Sequence, residues 1–226
     1  MTSRPAPHAS RSRGARTTRT RILEAARREL GRNPDSGLGA IAEAAGVARR
    51  TVYAHFAGRA ALVEGLATDA AEAIRLAVTV TRAPAADPAS ALACFVLALW
   101  PVGDRYRTLI RLVCQDMRED RVGEALAPAR ATVTRILASG QRQGVFHTAI
   151  APGPLGRALE AHLLALLDSV NAGTWAGDGS AAATAALIAM GVDSGVATET
   201  VQRLRGTGPT SPPQGQTSPH PETEQA

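Results

Sequence analysis

At 226 residues the chain has room for one or two domains, and 45% hydrophobic with 20% charged residues is ordinary for a soluble globular protein. Aromatics make up only 3% while alanine abounds, which favours helices over sheets. All 25 basic residues are arginine; residues 1–59 carry 12 of them against 4 acids, a net +8, and the remainder is net −3.

The absence of lysine reads as a genome composition bias. The uneven charge points to a basic N-terminal module that meets a polyanion. Arg4, Arg11, Arg13 and Arg16 lie in a Pro/Ser-rich leader and suit a solvated tail equally well. The longest apolar run, Ala89 to Val102, is broken by Pro101 and is too short for the ~20 residues of a membrane helix. No apolar stretch follows the N-terminal arginines as an export signal requires, so a cytoplasmic location is expected. Cys94 and Cys114 fit neither a metal spacing nor a disulfide framework.

In chain order, residues 1–16 and 206–226 are expected to be disordered, for want of apolar periodicity and, in the tail, for abundant proline. Ile22, Leu23, Ala26 and Leu30 predict a first helix over about 17–31. After the breaker RNPDSG, Leu38, Ile41, Ala42 and Ala45 predict a short second helix ending at Gly46. A third follows over about 48–55, and a longer fourth over about 59–82 carries Leu62, Leu66, Ala70 and Ala73 on one stripe. Beyond Pro84, helices are predicted near 88–100, 104–117, 121–142, 153–172 and 180–190, separated by Pro101–Gly103, Gly144, Pro152–Pro154 and the loop GTWAGDGS. No alternating strand and no internal repeat appears.

The stretch AGVARRTVYAHF, residues 45–56, carries the chemistry. Val52 and Phe56 share one face and can seat the short third helix on Val47, Ile41, Ala45 and Leu23. Arg49, Arg50, Thr51, Tyr53, Ala54 and His55 then spread over the other faces. Two helices joined by a glycine turn, the second short and rich in donors, describe a helix-turn-helix. Its second helix enters the DNA major groove, where an arginine fork matches guanine O6 and N7. Threonine, tyrosine and histidine suit phosphate oxygens. The competing reading is a three-helix bundle with a solvated polar face.

From Thr20 to Leu66 the sequence resembles the tetracycline-repressor-like (TetR) family of bacterial transcription regulators. The likeness rests on TRILEAARREL and on IAEAAGVARRTVYAHF, followed three residues later by Arg59. The resemblance implies an all-α fold: a helix-turn-helix DNA-binding domain over 17–65, then a helical effector-binding and dimerisation domain over 66–205. It implies base reading or groove lining at Arg49, Arg50 and Ala54, and phosphate contacts at Thr51, Tyr53, His55 and Arg59, where lysine is usual. It further implies a homodimer on a roughly palindromic operator, released when a ligand changes the spacing of the two heads. The chain departs from the pattern at Gly37, Gly39 and Ala48, where a cap, a polar contact and a second cap are usual; Ser36 is the alternative cap. The connection GRNPDSG is about two residues short of the common form.

In the C-terminal part, Leu155, Leu159, Leu163, Leu166, Leu167 and Val170 give the helix over 153–172 more apolar surface than a one-sided helix needs, which fits a dimer interface. Helix 180–190 adds Ala183, Leu187 and Met190. Phe95, Leu99, Tyr106, Ile110, Met117 and His162 are the expected wall of an effector pocket, though core packing is the plain alternative. They suggest a mostly apolar effector with one polar group. No cofactor, metal site or catalytic constellation stands out, and no membrane contact is expected. A rival class, a helical enzyme or binding module with an incidental basic bundle, would need convergent titratable groups.

Overall fold

A computed structural model describes residues 7–81, 87–116 and 119–206, with side chains at 14, 16–81, 87–109 and 123–206. Its described residues form helices only: α1 (Pro7–Arg32), α2 (Leu38–Ala44), α3 (Arg49–His55), α4 (Arg59–Val80), α5 (Pro88–Asp116), α6 (Glu119–Arg142), α7 (Pro152–Asn171), α8 (Gly179–Ala189) and α9 (Ser194–Gly206). The all-α expectation holds. None of the helices is long and apolar enough to cross a membrane, among the described residues.

Three boundaries differ from the sequence reading. α1 begins at Pro7, so residues 7–16 of the expected disordered leader are helical. Proline is well tolerated in a first helical turn, and the alanines and arginines that follow are good helix formers. The expected helices near 88–100 and 104–117 are one helix, α5, which runs through Pro101. Proline forfeits one backbone bond there. Continuity is favoured because both flanks are buried: Leu92, Phe95, Val96 and Trp100 before it, Tyr106 and Leu109 after it. α9 had no prediction, because its buried face is only Ala197, Thr200 and Val201, too weak an apolar stripe to read. The expected disordered tail from 207 onward lies outside the described residues.

Two hydrophobic clusters organise the chain. The first joins α1 to α4 through Ile22, Leu23, Ala26, Leu30, Ile41, Val52, Phe56, Leu62 and Leu66, and it also takes in Tyr106 and Leu109 of α5. The second fills the C-terminal bundle with Leu92, Phe95, Val96, Trp100, Leu137, Leu155, Leu159, Ala183, Leu187, Ala197 and Val201. α5 is the axis of that bundle, packed on α4, α6, α7, α8 and α9 and reaching α1. Trp100 meets Trp175 edge to face at 5.6 Å between ring centroids.

Asp87 sets the start of α5. Its carboxylate accepts from the Ser90 backbone N–H at 2.8 Å and the Ser90 hydroxyl at 2.7 Å. Partial burial alone would raise its pKa, but these Ser90 bonds, with help from Ala89 and Arg203, hold it below the usual 3.8. A depressed carboxylate stabilises the fold above its unfolded pKa and loses that contribution as pH falls through its folded one. Asp87→Ala is therefore expected to lower stability at neutral pH by about 1 kcal/mol. In urea melts the gap between variant and wild type should narrow as pH falls through the acid range and Asp87 takes up its proton. A gap that persists at low pH would mean the cap acts through packing.

Candidate DNA-reading head and the cavity behind it

The turn between α2 and α3 is built by Gly46, whose φ of +61° is left-handed backbone that glycine adopts without strain. Its N–H donates to the Glu43 carbonyl, and the Val47 N–H to the Ala42 carbonyl, which closes α2. Arg21 reaches across from α1 and donates to the carbonyl of Ala45 at 2.7 Å and of Gly46 at 3.3 Å. A guanidinium thus satisfies carbonyls the helix end leaves open. Gly37 and Ala48 occupy the N-cap positions of α2 and α3, each without a side-chain cap bond, so Ser36 does not replace the missing cap.

α3 is pinned from below by Val52, fully buried, and by Phe56, 3% exposed at its C-cap. The Arg19 guanidinium lies 5.2 Å from the Phe56 ring centroid. α4 approaches so closely that a Cβ on Gly65 would stand 2.7 Å from the Phe56 ring. Only glycine lets α4 close on that ring.

With Val52 and Phe56 inward, Arg50 and Ala54, one turn apart, centre the outward face, flanked by Arg49 and Tyr53; all four are exposed. Thr51 and His55 form the other flank and are half-buried. The Arg49 guanidinium lies over Gly39 of α2, its carbon 3.7 Å from where a Cβ there would be, an ordinary contact distance. Six of the seven expected DNA contacts therefore share one helix and one side of the head. Arg59 is different. It donates to the backbone carbonyls of Ser36, at 2.9 Å, and Pro34, and so ties the start of α4 to the α1–α2 turn.

Behind the head lies a cavity of about 500 Å³ enclosed by α4, α5, α6 and α7. Its wall is largely carbon, with Ile74 on α4, Phe95 and Leu99 on α5, Val133 on α6, and Leu159 and Leu163 on α7. Arg130 of α6 brings the main polar feature. Its Nε and Nη2 each donate to the Glu160 carboxylate of α7 at 2.7 Å, a bidentate pair. Glu64, Thr68 and Glu124 also line it.

Of the expected pocket wall, Phe95, Leu99 and Tyr106 line this cavity. The side chains of Ile110 and Met117 lie outside the described residues. His162 is a correction: it is absent from the lining, half-buried, with a buried Nε2 that lacks a hydrogen-bond partner. The cavity side of α7 carries Gly156, Leu159, Glu160, Leu163, Leu164 and Leu167, and the helical rotation turns residue 162 away from that stripe. Sequence reasoning missed Arg130 and Glu160. Thirty positions separate them, and nothing local marks two opposite charges as partners across helices.

The expected interface leucines also need correction. Leu155, Leu159 and Leu167 are buried in the chain's own core, and Leu163, Leu166 and Val170 pack against it. The outward side of α7 and α8 shows small residues instead: Ala158, Ala161 and Ala165, then Ala181 and Ala189, with Ile188 45% exposed among them. No group of His, Cys, Asp and Glu gathers to hold a metal, among the described residues. Cys94 is a free, half-buried thiol whose pKa is raised by burial and then by Asp87; the side chain of Cys114 lies outside the described residues.

Residues 22–66, which hold the turn, α3 and the Phe56 wedge, match the model of the bacterial regulatory proteins of the tetR family. The chain thus carries the N-terminal domain of that family. Solved structures extend the likeness over the bundle. A TetR-family transcriptional regulator from Rhodococcus sp. aligns with a TM-score of 0.64 at 17% identity, covering 77% of this chain and 97% of that one. RolR in complex with resorcinol aligns at 0.54 and 22% identity, over 85% and 96%. A gamma-butyrolactone receptor described as ArpA-like aligns at 0.63 and 21%, over 86% and 99%. At these identities the structural likeness establishes the shared fold. No curated protein matches the chain. The tetR-family head and the helical bundle together make this the fold of a DNA-binding transcription regulator.

Proposed function

We propose that the chain is a cytoplasmic repressor that binds a roughly palindromic operator as a homodimer and leaves it when a small, mostly apolar effector enters the cavity. The observation that carries this reading is the juxtaposition in α4: Arg59 begins it at the reading head, and Ile74 lines the cavity four turns on. One helix therefore touches both sites. Contents of the cavity that favour a displaced α4 weaken DNA binding by the same factor as DNA weakens their own. The apolar wall with one Arg–Glu pair suits a small molecule with a single polar group. Resorcinol and gamma-butyrolactones, named for two structural relatives, are molecules of that modest size and polarity. For the dimer, the alanine-rich outward side of α7 and α8 allows two copies to bring their helices close together. A twofold assembly then demands a twofold operator.

The test uses the duplex upstream of the protein's own gene. Affinity for it should fall steeply between about 50 and 200 mM salt, by a factor of about 10³ or more if six or more phosphates are neutralised. Light scattering should report twice the 23.4 kDa chain mass. Salt-insensitive binding, or a monomer that still binds a palindrome, would sink the proposal.

A further inference from the structure

Tyr106 belongs to two places at once. It lines the cavity, and it is a core residue of the reading head's cluster, 3% exposed beside Leu109. Its hydroxyl donates to Asp69 of α4 at 2.5 Å. Its ring lies 5.5 Å from the guanidinium of Arg105. The backbone carbonyl of that same Arg105 accepts from Arg27 Nη1 of α1 at 3.2 Å. Three elements thus meet around residues 105 and 106: α1 of the head, α4 of the rod, and α5 of the cavity wall. The junction is polar but poorly saturated, since the buried Nε of Arg27 has no hydrogen-bond partner. Such an arrangement has a second hydrogen-bonding pattern within reach, unlike a close-packed apolar contact.

We propose that Tyr106, through its hydrogen bond to Asp69, is the positioning residue that transmits occupancy of the cavity to the DNA-reading head. This inference rests on the ligand-controlled reading above. A molecule lodged against Tyr106 presses on a side chain that the head uses as core. While the hydroxyl holds Asp69, the ring cannot yield without carrying α4 and the surrounding head with it. Remove the hydroxyl, and the ring can give way alone. Burial, then the bond to Asp69 and its charge, push the hydroxyl pKa up to about 12, so it stays a donor throughout the neutral range.

The full-length chain, titrated with the neutral fluorophore N-phenyl-1-naphthylamine, provides the test. Wild type should take up the probe, and hydrogen exchange in peptides covering residues 22–30 should change by about fivefold or more on uptake. Asp69→Ala, at a partly exposed position outside the cavity wall, removes the acceptor and should bind the probe within about threefold of wild type, yet show no exchange change in the head. Tyr106→Phe removes the donor and should likewise silence the head at saturating probe, whatever its own effect on uptake. Asp69→Asn retains an acceptor oxygen and should preserve most of the response. A full response in both Tyr106→Phe and Asp69→Ala overturns the inference, as does probe uptake by wild type with a silent head; in either case the cavity reading survives. Wild type that takes up no probe brings down the cavity reading and this inference together.

Discussion

Phe56→Ala is expected to cost about 3–5 kcal/mol and to abolish duplex binding. The ring is the wedge that seats α3. It is 3% exposed, with the Arg19 guanidinium against it and the bare Cα of Gly65 meeting it. Truncation leaves a void bounded by a charged side chain and by a helix that cannot move closer without disturbing Leu62 and Leu66, both almost wholly buried. The loss falls on a small cluster shared by α1 to α4 and α5, so the recognition helix loses its seat before the C-terminal bundle is affected. Calorimetry should show the melting temperature lowered by about 10 °C, given the size of the chain. Gly65→Ala approaches the same contact from α4 and should reproduce part of the effect. A Phe56→Ala protein that melts like wild type would mean that Val52 alone positions α3.

Arg50→Ala should have the next largest effect, and on specificity instead of stability. Arg50 is exposed at the centre of the outward face, above Ala54, whose small side chain would let the helix approach a major groove. A guanidinium there can grip guanine O6 and N7 together, and losing such a contact costs about 1–3 kcal/mol. Competition between operator and scrambled duplex should show the preference for operator reduced by about 5- to 150-fold, with scrambled binding much less affected. Arg49, which lies over Gly39, should follow the same direction. Arg59→Ala makes the informative contrast. Its guanidinium is already engaged with the Ser36 and Pro34 carbonyls, so its removal should loosen the α1–α2 turn and weaken all duplexes alike. If Arg50→Ala lowers affinity for every duplex equally, that residue holds phosphate and the bases are read elsewhere on the face.

The sequence by itself determined the reading head. Gly46, the pair Val52 and Phe56, and the crowd of donors at 49–55 act over a few residues. One turn of helix and one glycine turn decide which side chains face in and which face out. The all-helical class was legible for the same reason, since alanine-rich 3.6-residue periodicity is a local property. Tertiary structure decided the rest. Pro101 looked like a break because its cost is local, whereas the burial on both sides that sustains α5 comes from the six other helices packed against it. The leucines of α7 read as surplus surface because a sequence shows how much apolar area a helix carries but not how many neighbours it has; α5, α6 and α8 supply those neighbours. His162 and Leu163 are adjacent in the chain, yet rotation of α7 against α6 sends one to the cavity and the other away. A cavity is where four helices fail to meet, and no stretch of sequence records it. The double membership of Tyr106 likewise follows only from the path of α5, which carries Tyr106 and Leu109 from the bundle into the core cluster of the head.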